Sequence, residues 1–515
     1  MVIACAALAA CTVGPDFRRP PAPEATGYLE RGEAPQSNAQ RASHPGMQQT
    51  RPELDVDARW WTAFGSPRID ALVDEALSRN PTLEAADAAL AAARQNVLAQ
   101  RGLFLPTVGV SASPSRTKIA GNQGGNSPGV QGDGSVISTY QGTPASEGGS
   151  APFNAPVIYG FHTAQLTVSY APDVFGANRR QVEDLQAQAD AQRFQREAAA
   201  ISLAANVVGA AIQEALLRHQ IALTSSSIRQ AENSTAIIRR QVGAGYASRL
   251  DLAQQEVALA QARQQLPALA KQQALACDLL KVLTGRRPDE ALPALPDFTQ
   301  IRLPAQLPLS LPARLVEQRP DIRAAEEQLH SASARVGVAT AARLPQFSID
   351  ANWGGAAGRV SQMFLPSGRF FALSGTVAQT LFDGGQNKSR QAAAQANLQQ
   401  ADATYRATVL SALQNVADTL HAIQSNTAIV EAADQAQQRA RAAHGLVERQ
   451  LDKGYVDRLA LITAQQALLQ TEQSLAQAQA TRLADTVALY QALGGGWWNR
   501  PAVAERDTGA PATGS

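Results

Sequence analysis

The 515-residue sequence carries 45 basic and 44 acidic side chains, so no net field is available to steer nucleic acid or an acidic substrate. Aromatic residues make up 5%, too few for an ordinary globular core of this size. Ala and Gln crowd the helical stretches instead, and Ala-rich seams let helices pack closely into walls.

Residues 1–10 are apolar and end in Leu8-Ala9-Ala10 before Cys11. Small residues ahead of a cysteine form the cleavage pattern of a lipoprotein signal peptide, which predicts Cys11 as the lipidated first residue of the mature chain. No Lys or Arg precedes it, so the charged part of the signal is missing and the start is expected upstream. Thr12 rather than Asp follows Cys11, as in lipoproteins passed on to the outer membrane. Residues 11–66 read as an extended tether, rich in Pro, Gln and Ser, with order expected from Trp60-Trp61 onward.

A first repeat is expected over residues 67–291. It opens with a helix interrupted at Asn80-Pro81, continues into a strand pair within residues 103–173, and ends in a helical hairpin over 175–284. Ala164, Leu166, Val168 and Tyr170 alternate with Thr163, Gln165, Thr167 and Ser169, giving strands with one apolar and one polar face. Ile201, Ala205, Val208, Ile212 and Ala215 then recur at steps of four and three, the seam of a coiled coil. A Pro-rich linker, residues 292–312, separates this repeat from a second over 313–498. There the strand pair falls within 345–382, where Phe347, Ile349, Ala351 and Trp353 alternate with Ser348, Asp350 and Asn352. The second hairpin spans 384–493, with Val409, Leu413, Val416, Leu420, Ile423 and Val430 as its seam. Residues 499–515 read as a disordered tail.

The duplication shows in the local sequence. Asn80-Pro81-Thr82-Leu83 answers Arg319-Pro320-Asp321-Ile322, and Gly245-Tyr246-Ala247-Ser248-Arg249-Leu250 answers Gly454-Tyr455-Val456-Asp457-Arg458-Leu459. The expected fold is therefore mixed: two copies of helix, strand pair and long helical hairpin. Four strands cannot close a barrel, which needs about eight, and an open sheet with one lipid-like face leaves unpaired edges. A barrel assembled from several chains resolves this, with the helices continuing it as a coaxial tube. No apolar run of about 18 residues follows the N-terminus, so no transmembrane helix is expected.

Enzyme chemistry is not in view. Gly125-Asn126-Ser127-Pro128-Gly129 matches a nucleophile-elbow pattern, but Pro128 and the Gly-rich surroundings spoil it. The six histidines are dispersed, without metal-ligand spacing, and no phosphate-binding glycine pattern occurs, so no cofactor or metal is expected.

Cys11-Thr12-Val13-Gly14-Pro15-Asp16-Phe17, the duplicated units, Leu381-Phe382-Asp383-Gly384-Gly385 and the two Gly-Tyr-x-x-Arg-Leu turns together resemble the TolC-type outer-membrane efflux channel family, in its NodT-like lipoprotein branch. The resemblance implies a homotrimer with a twelve-stranded β-barrel in the outer membrane and an α-helical tunnel in the periplasm. It also implies partners, namely a periplasmic adaptor and an inner-membrane pump of the resistance-nodulation-division (RND) class, with the chain as a passive exit duct. A periplasmic adaptor and a structural coiled-coil lipoprotein are the alternative readings.

Two groups of candidate residues follow. Gly243, Gly245, Tyr246, Ser248 and Arg249, with Gly454, Tyr455, Asp457 and Arg458, make the two turns expected to dock the adaptor. The three glycines supply backbone freedom, and Ser248 and Asp457 suit helix N-caps. Leu459 and Thr463, four apart on one helical face, would stack as two rings at the periplasmic aperture. The resemblance implies an apolar residue at the first position and often Asp at the second. Thr463 carries no charge, so an apolar constriction at Leu459 is expected.

Overall fold

The computed structural model describes residues 12–21, 27–28, 48–51, 54–119, 127–130, 136–139 and 157–500. Its elements, in chain order, are β1 (Gln49–Arg51), α1 (Pro67–Arg79), α2 (Pro81–Gly102), β2 (Thr107–Ile119), β3 (Ser127–Val130), β4 (Val136–Thr139), β5 (Val157–Tyr170), α3 (Ala177–Gly243) and α4 (Arg249–Leu283). The second half adds β6 (Gln306–Pro308), α5 (Pro312–Gln318), α6 (Pro320–Ala341), β7 (Gln346–Ala357), β8 (Arg369–Ala378), α7 (Gln386–Asp452) and α8 (Arg458–Ala492). Equivalent helices match in length: α2 and α6 have 22 residues each, α3 and α7 67, α4 and α8 35. At 1.5 Å per residue the longest are rods of about 100 Å.

The chain forms two compact units: Met1–Arg18, Ala92–Ala189 and Gln328–Asp402 make the first, and Arg19–Ala91, Asp190–Glu327 and Ala403–Ser515 the second.

The first unit holds an antiparallel four-stranded sheet in the order β2-β5-β7-β8. Each strand pair is a hairpin, and the two hairpins meet through β5 and β7, with Leu166 opposite Trp353. Thr107 to Ile119 and Arg369 to Ala378 therefore form the two outer edges. The short β3–β4 pair is a further hairpin between β2 and β5, absent from the expectations above. It includes Ser127-Pro128-Gly129, so those residues lie in a strand, while Gly125 and Asn126 fall outside the described residues. Where the strands give way to the long helices, an aspartate caps each one. Asp173 accepts from the amides of Asn178 and Arg179 at 2.9 and 2.8 Å, and Asp383 from those of Gly385 and Asn387, both at 2.9 Å. The Asn387 amide, foremost among these donors, holds the Asp383 carboxyl below the usual carboxylate range.

The same unit seats the start of the described chain. The Val13 amide donates to the Phe175 carbonyl at 3.2 Å, Phe17 stacks on His330 at 4.4 Å, and buried Arg180 reaches Asp16 at 2.6 Å and Glu183 at 2.7 Å. Below it, buried Asp184 accepts from Ser331 at 2.5 Å and Arg335 at 3.1 Å, so the buried carboxylate is fully engaged.

The second unit contains the helical core. Tyr405, Val409, Ala412, Val416, Leu420 and Ile423 make a buried seam on α7 at steps of three and four, with Ala412 taking the place expected of half-buried Leu413. On α3 the buried surface is much wider than a seam: Ala204, Val207, Ala211 and Leu216 are buried along with Ile201, Ala205, Val208, Ile212 and Ala215. An 18-residue window of α3 is long and apolar enough to span a membrane by composition, contrary to the expectation above, yet 72% of it is buried against protein. That window therefore reads as the core of a helix packed on protein.

The duplication also fixes how each hairpin closes. Asn80, at the break between α1 and α2, donates to the carbonyl of Leu283 at 2.8 Å; Arg319, at the matching break, donates to that of Ala492 at 2.9 Å. A Cβ on Gly285 would stand 2.4 Å from the Arg79 carbonyl oxygen, and one on Gly494 would stand 2.7 Å from that of Gln318. Glycine is thus required twice, at equivalent backbone crossings. The tether and linker join here: β1 pairs in parallel with β6, the Arg302 amide donates to the Phe64 carbonyl at 2.9 Å, and Trp60 stacks on Tyr490 at 5.2 Å. Cys277 is half-buried on α4, and burial pushes its thiol pKa up, which disfavours the thiolate form.

Candidate functional site

In the first unit the strand register sorts the sheet into two faces. Because alternation is unbroken across all three pairings, Val108 and Val110 share a face with Leu166 and Val168, then Ile349, Ala351 and Trp353, then Phe371, Leu373 and Val377. Phe371 is 82% exposed and Leu373 75%, an apolar surface that water would oppose. The opposite face carries Thr107, Ser111, Thr167, Ser169, Asp350, Asn352 and Ser374. On it Ser169 donates to Asp350 at 2.8 Å. One side suits lipid and the other water.

In the second unit both turns are closed by the same device. The Tyr246 amide donates to the Gln241 carbonyl at 2.8 Å and that of Gly245 to Val242 at 3.1 Å; Tyr455 and Gly454 repeat this onto Gln450 and Leu451, both at 2.9 Å. This Schellman pattern needs a left-handed residue, and Gly245 and Gly454 supply it with φ of 81° and 74°. Gly243 does not share the role. It ends α3 with an ordinary φ, and Asp452 stands in the equivalent place of the second turn. Ser248 forms a capping box with Asp251, accepting from its amide at 3.1 Å and donating its own amide to the Asp251 carboxylate at 3.0 Å. Asp457 accepts from the Ala460 amide at 2.9 Å. Asp251 and Asp457 are therefore engaged in capping. Tyr246, Tyr455 and Arg249 are exposed and Arg458 half-buried.

Leu459 lies in the first turn of α8 and is 45% exposed; its counterpart Leu250 is 65% exposed. The Thr463 hydroxyl donates to the Leu459 carbonyl at 3.0 Å, so it is spent on its own helix. Helices α3 and α8 lie side by side, tied by Gln230 with Gln465 and by Gln473 donating to Thr224 at 3.1 Å, which brings the two turns to the same end. Cys11 lies outside the described residues. What sequence reasoning missed is the capping by Asp173, Asp383 and Asp251, although the Ser-x-x-Asp spacing of Ser248 and Asp251 was a legible signal.

The outer membrane efflux protein family matches residues 72–286 and 311–495, once over each repeat. The chain belongs to that family. As an outer membrane efflux protein it is 29% identical to the pyoverdine export outer membrane protein OpmQ of Pseudomonas putida, over 86% of this chain and 88% of that one. It is 27% identical to the toluene efflux pump outer membrane protein TtgF of the same species, over 96% and 95%. Among solved structures, the outer-membrane channel OprN superposes with a TM-score of 0.77 at 26% identity, covering 95% of this chain and all of that one. This outer membrane efflux protein thus has the fold of those channels, in a family of efflux ducts rather than of enzymes.

Proposed function

We propose that three copies of this chain form a passive exit duct of a tripartite efflux system, receiving cargo from a periplasmic adaptor and an inner-membrane RND pump. The observation that carries this reading is the four-stranded sheet whose two outer strands are β2 and β8 and whose one face is exposed and apolar. Four strands per chain close a twelve-stranded barrel only when edges of neighbouring copies pair, which removes the edge liability at a stroke. The polar face then lines the lumen and the apolar face meets lipid. The long helices extend the duct into the periplasm, and the exposed turns meet the adaptor, since element ends carry binding more often than cores do. Relatives named for cargoes as unlike as pyoverdine and toluene sit at similar identity, which supports a conduit that leaves cargo choice to the pump.

Lipidation of Cys11 fits the same placement. Thr12 packs against Gly176, where a Cβ would come within 2.7 Å of its methyl group, and this is where strand gives way to helix. An acyl chain on the preceding residue would enter the membrane beside the barrel.

The test joins two measurements on the purified full chain. Cysteines at Gly109 and Ser374, on the two outer strands and both on the polar face, should cross-link into trimers and no higher species. The same preparation should give discrete conductance in planar bilayers. An adaptor or a coiled-coil lipoprotein would give neither, and monomers without conductance would end the proposal.

A further inference from the structure

The apolar face of the sheet changes character toward the end remote from the long helices. Rows of side chains on one face lie about 7 Å apart along the strands. The last row with large apolar groups on all four strands contains Val110, Leu166, Trp353 and Phe371. The next row contains Ala112, Ala164, Gly355 and Arg369, and beyond it come Pro114 with His162, Arg116 with Gly160, and Lys118 with Ile158. Alternation is continuous along each pairing, so Arg369, Arg116 and Lys118 project from the face that carries Phe371 and Val110. All three are exposed. Arg359, in the loop between β7 and β8, is exposed too.

The charge is one-sided. The four strands hold three formal cations, all at this end and on this face, and one acid, Asp350, on the opposite face. The residues joining β7 and β8 contain no acid. These cations lack carboxylate partners among the described residues of the sheet. Arg369 donates its Nε to the Phe364 carbonyl at 2.8 Å, which fixes the guanidinium while leaving its other N–H groups to a ligand. Val360, Phe364 and Leu365 on the same loop are exposed and apolar. Cations rising directly from an apolar band match a molecule with acyl chains and a phosphate above them, and Arg offers a fork suited to phosphate.

We infer that Arg116, Lys118 and Arg369 form a binding collar for the phosphate groups of an anionic glycolipid in the outer leaflet, its acyl chains lying on the Trp353–Phe371 row. The inference rests on the outer-membrane duct reading, which sets the apolar face in lipid and the helices on the periplasmic side. In a three-chain barrel the collar repeats three times.

The full-length protein, reconstituted in phosphatidylcholine vesicles containing bisphosphorylated lipid A or its dephosphorylated form, provides the test. After extraction in mild detergent, native mass spectrometry should find the bisphosphorylated form retained at least tenfold over the other. The Arg116→Gln/Lys118→Gln/Arg369→Gln variant should lose that preference, while Arg116→Lys keeps it. Inorganic phosphate at millimolar concentration should not compete, because the acyl chains supply part of the affinity. Protein that inserts and conducts but retains both lipids equally, or a triple variant that retains the preference, would overturn the collar and leave the duct intact. Equal competition by inorganic phosphate would reduce it to a bare anion site and overturn the lipid assignment. A chain that fails to insert would remove the duct reading and the collar together.

Discussion

Gly14 stands so close to Gly337 that a Cβ on the first would lie 2.4 Å from the Cα of the second. Gly14 also has φ of +99°, and a Cβ on Gly337 would meet the Arg180 side chain at 2.8 Å. Arg180 in turn holds Asp16 and donates its Nε–H to the Val13 carbonyl at 3.2 Å. The seat of residues 12–17 therefore depends on two absent side chains. Gly14→Val should cost about 1–2 kcal/mol for the left-handed backbone alone, with the steric clash added. Trypsin should then cut the variant after Arg18 many times faster than the parent, with the helical body intact. Equal rates of cleavage would show that the segment is held elsewhere.

Asp55 ties the tether to the end of the described chain. Its carboxylate accepts from Trp498 Nε1 at 3.2 Å, from Asn499 Nδ2 at 3.0 Å and from the Val56 amide at 2.8 Å. Burial would raise its pKa, but these hydrogen bonds outweigh burial and lower it. A carboxylate with a lowered folded pKa adds stability that is present above the unfolded value near ~4 and disappears as pH falls through the folded one. Asp55→Asn should therefore cost about 1 kcal/mol at pH 7, the site being exposed, and progressively less as pH falls through the folded value. Thermal melts of both proteins across that range decide it. A difference that does not change with pH would mean the charge is irrelevant.

Periodicity made much of this legible. The four-three seam of α7 and the alternation in β5 and β7 announce helix and strand because one buried face must recur at the period of the backbone. The same logic could not reveal how wide the buried face of α3 is, since Ala, Val, Ile and Leu fill most positions from Ala198 to Leu217 and leave little contrast between faces. Nor could it find β1 and β6, whose three-residue pairing is too short to show a period. The glycines divide in the same way. Gly245 and Gly454 differ from Gly243 only in φ, and the hint lay in the second repeat, where Asp452 fills the place of Gly243. Close approaches such as Gly14 on Gly337 depend on tertiary geometry alone.

The face assignment of the sheet is open to direct test by neighbouring residues on β8. Leu373 projects from the apolar face and Ser374 from the polar one. Near the bilayer midplane, Leu373→Arg should cost about 2–4 kcal/mol, and Ser374→Arg much less because its face is wet. Trimers of the first variant should dissociate at lower temperature in detergent gels, while those of the second resist heating as the parent does. The reverse order would invert the sheet.

At the turns, Gly454→Val should strain a backbone at φ of +74°, and Arg458→Glu reverses a charge at the start of α8. A Cβ at Gly454 meets nothing within 4 Å, so the change stays local. Both variants should lose efflux and cross-linking to the adaptor while trimers assemble normally. Failed assembly, with normal adaptor binding by the trimers that remain, would make the turns structural only.

We propose that Leu459 forms the aperture. It begins a helix at the mouth of the expected tunnel, and within its own chain it stays 45% exposed. A leucine that only packed between the helices of its hairpin would be more deeply buried there, which supports a place facing the lumen. Three such side chains around an axis would form an apolar ring that excludes hydrated ions. Thr463, one turn on, adds no charge, and its hydroxyl is already bonded to the Leu459 carbonyl. Leu459→Ala should thus raise single-channel conductance of purified trimers in planar bilayers without lowering their thermal midpoint. Thr463→Asp should shift the reversal potential toward cation preference, because it places carboxylates where the parent has none. Unchanged conductance in a destabilised Leu459→Ala trimer would assign Leu459 to packing and put the constriction elsewhere.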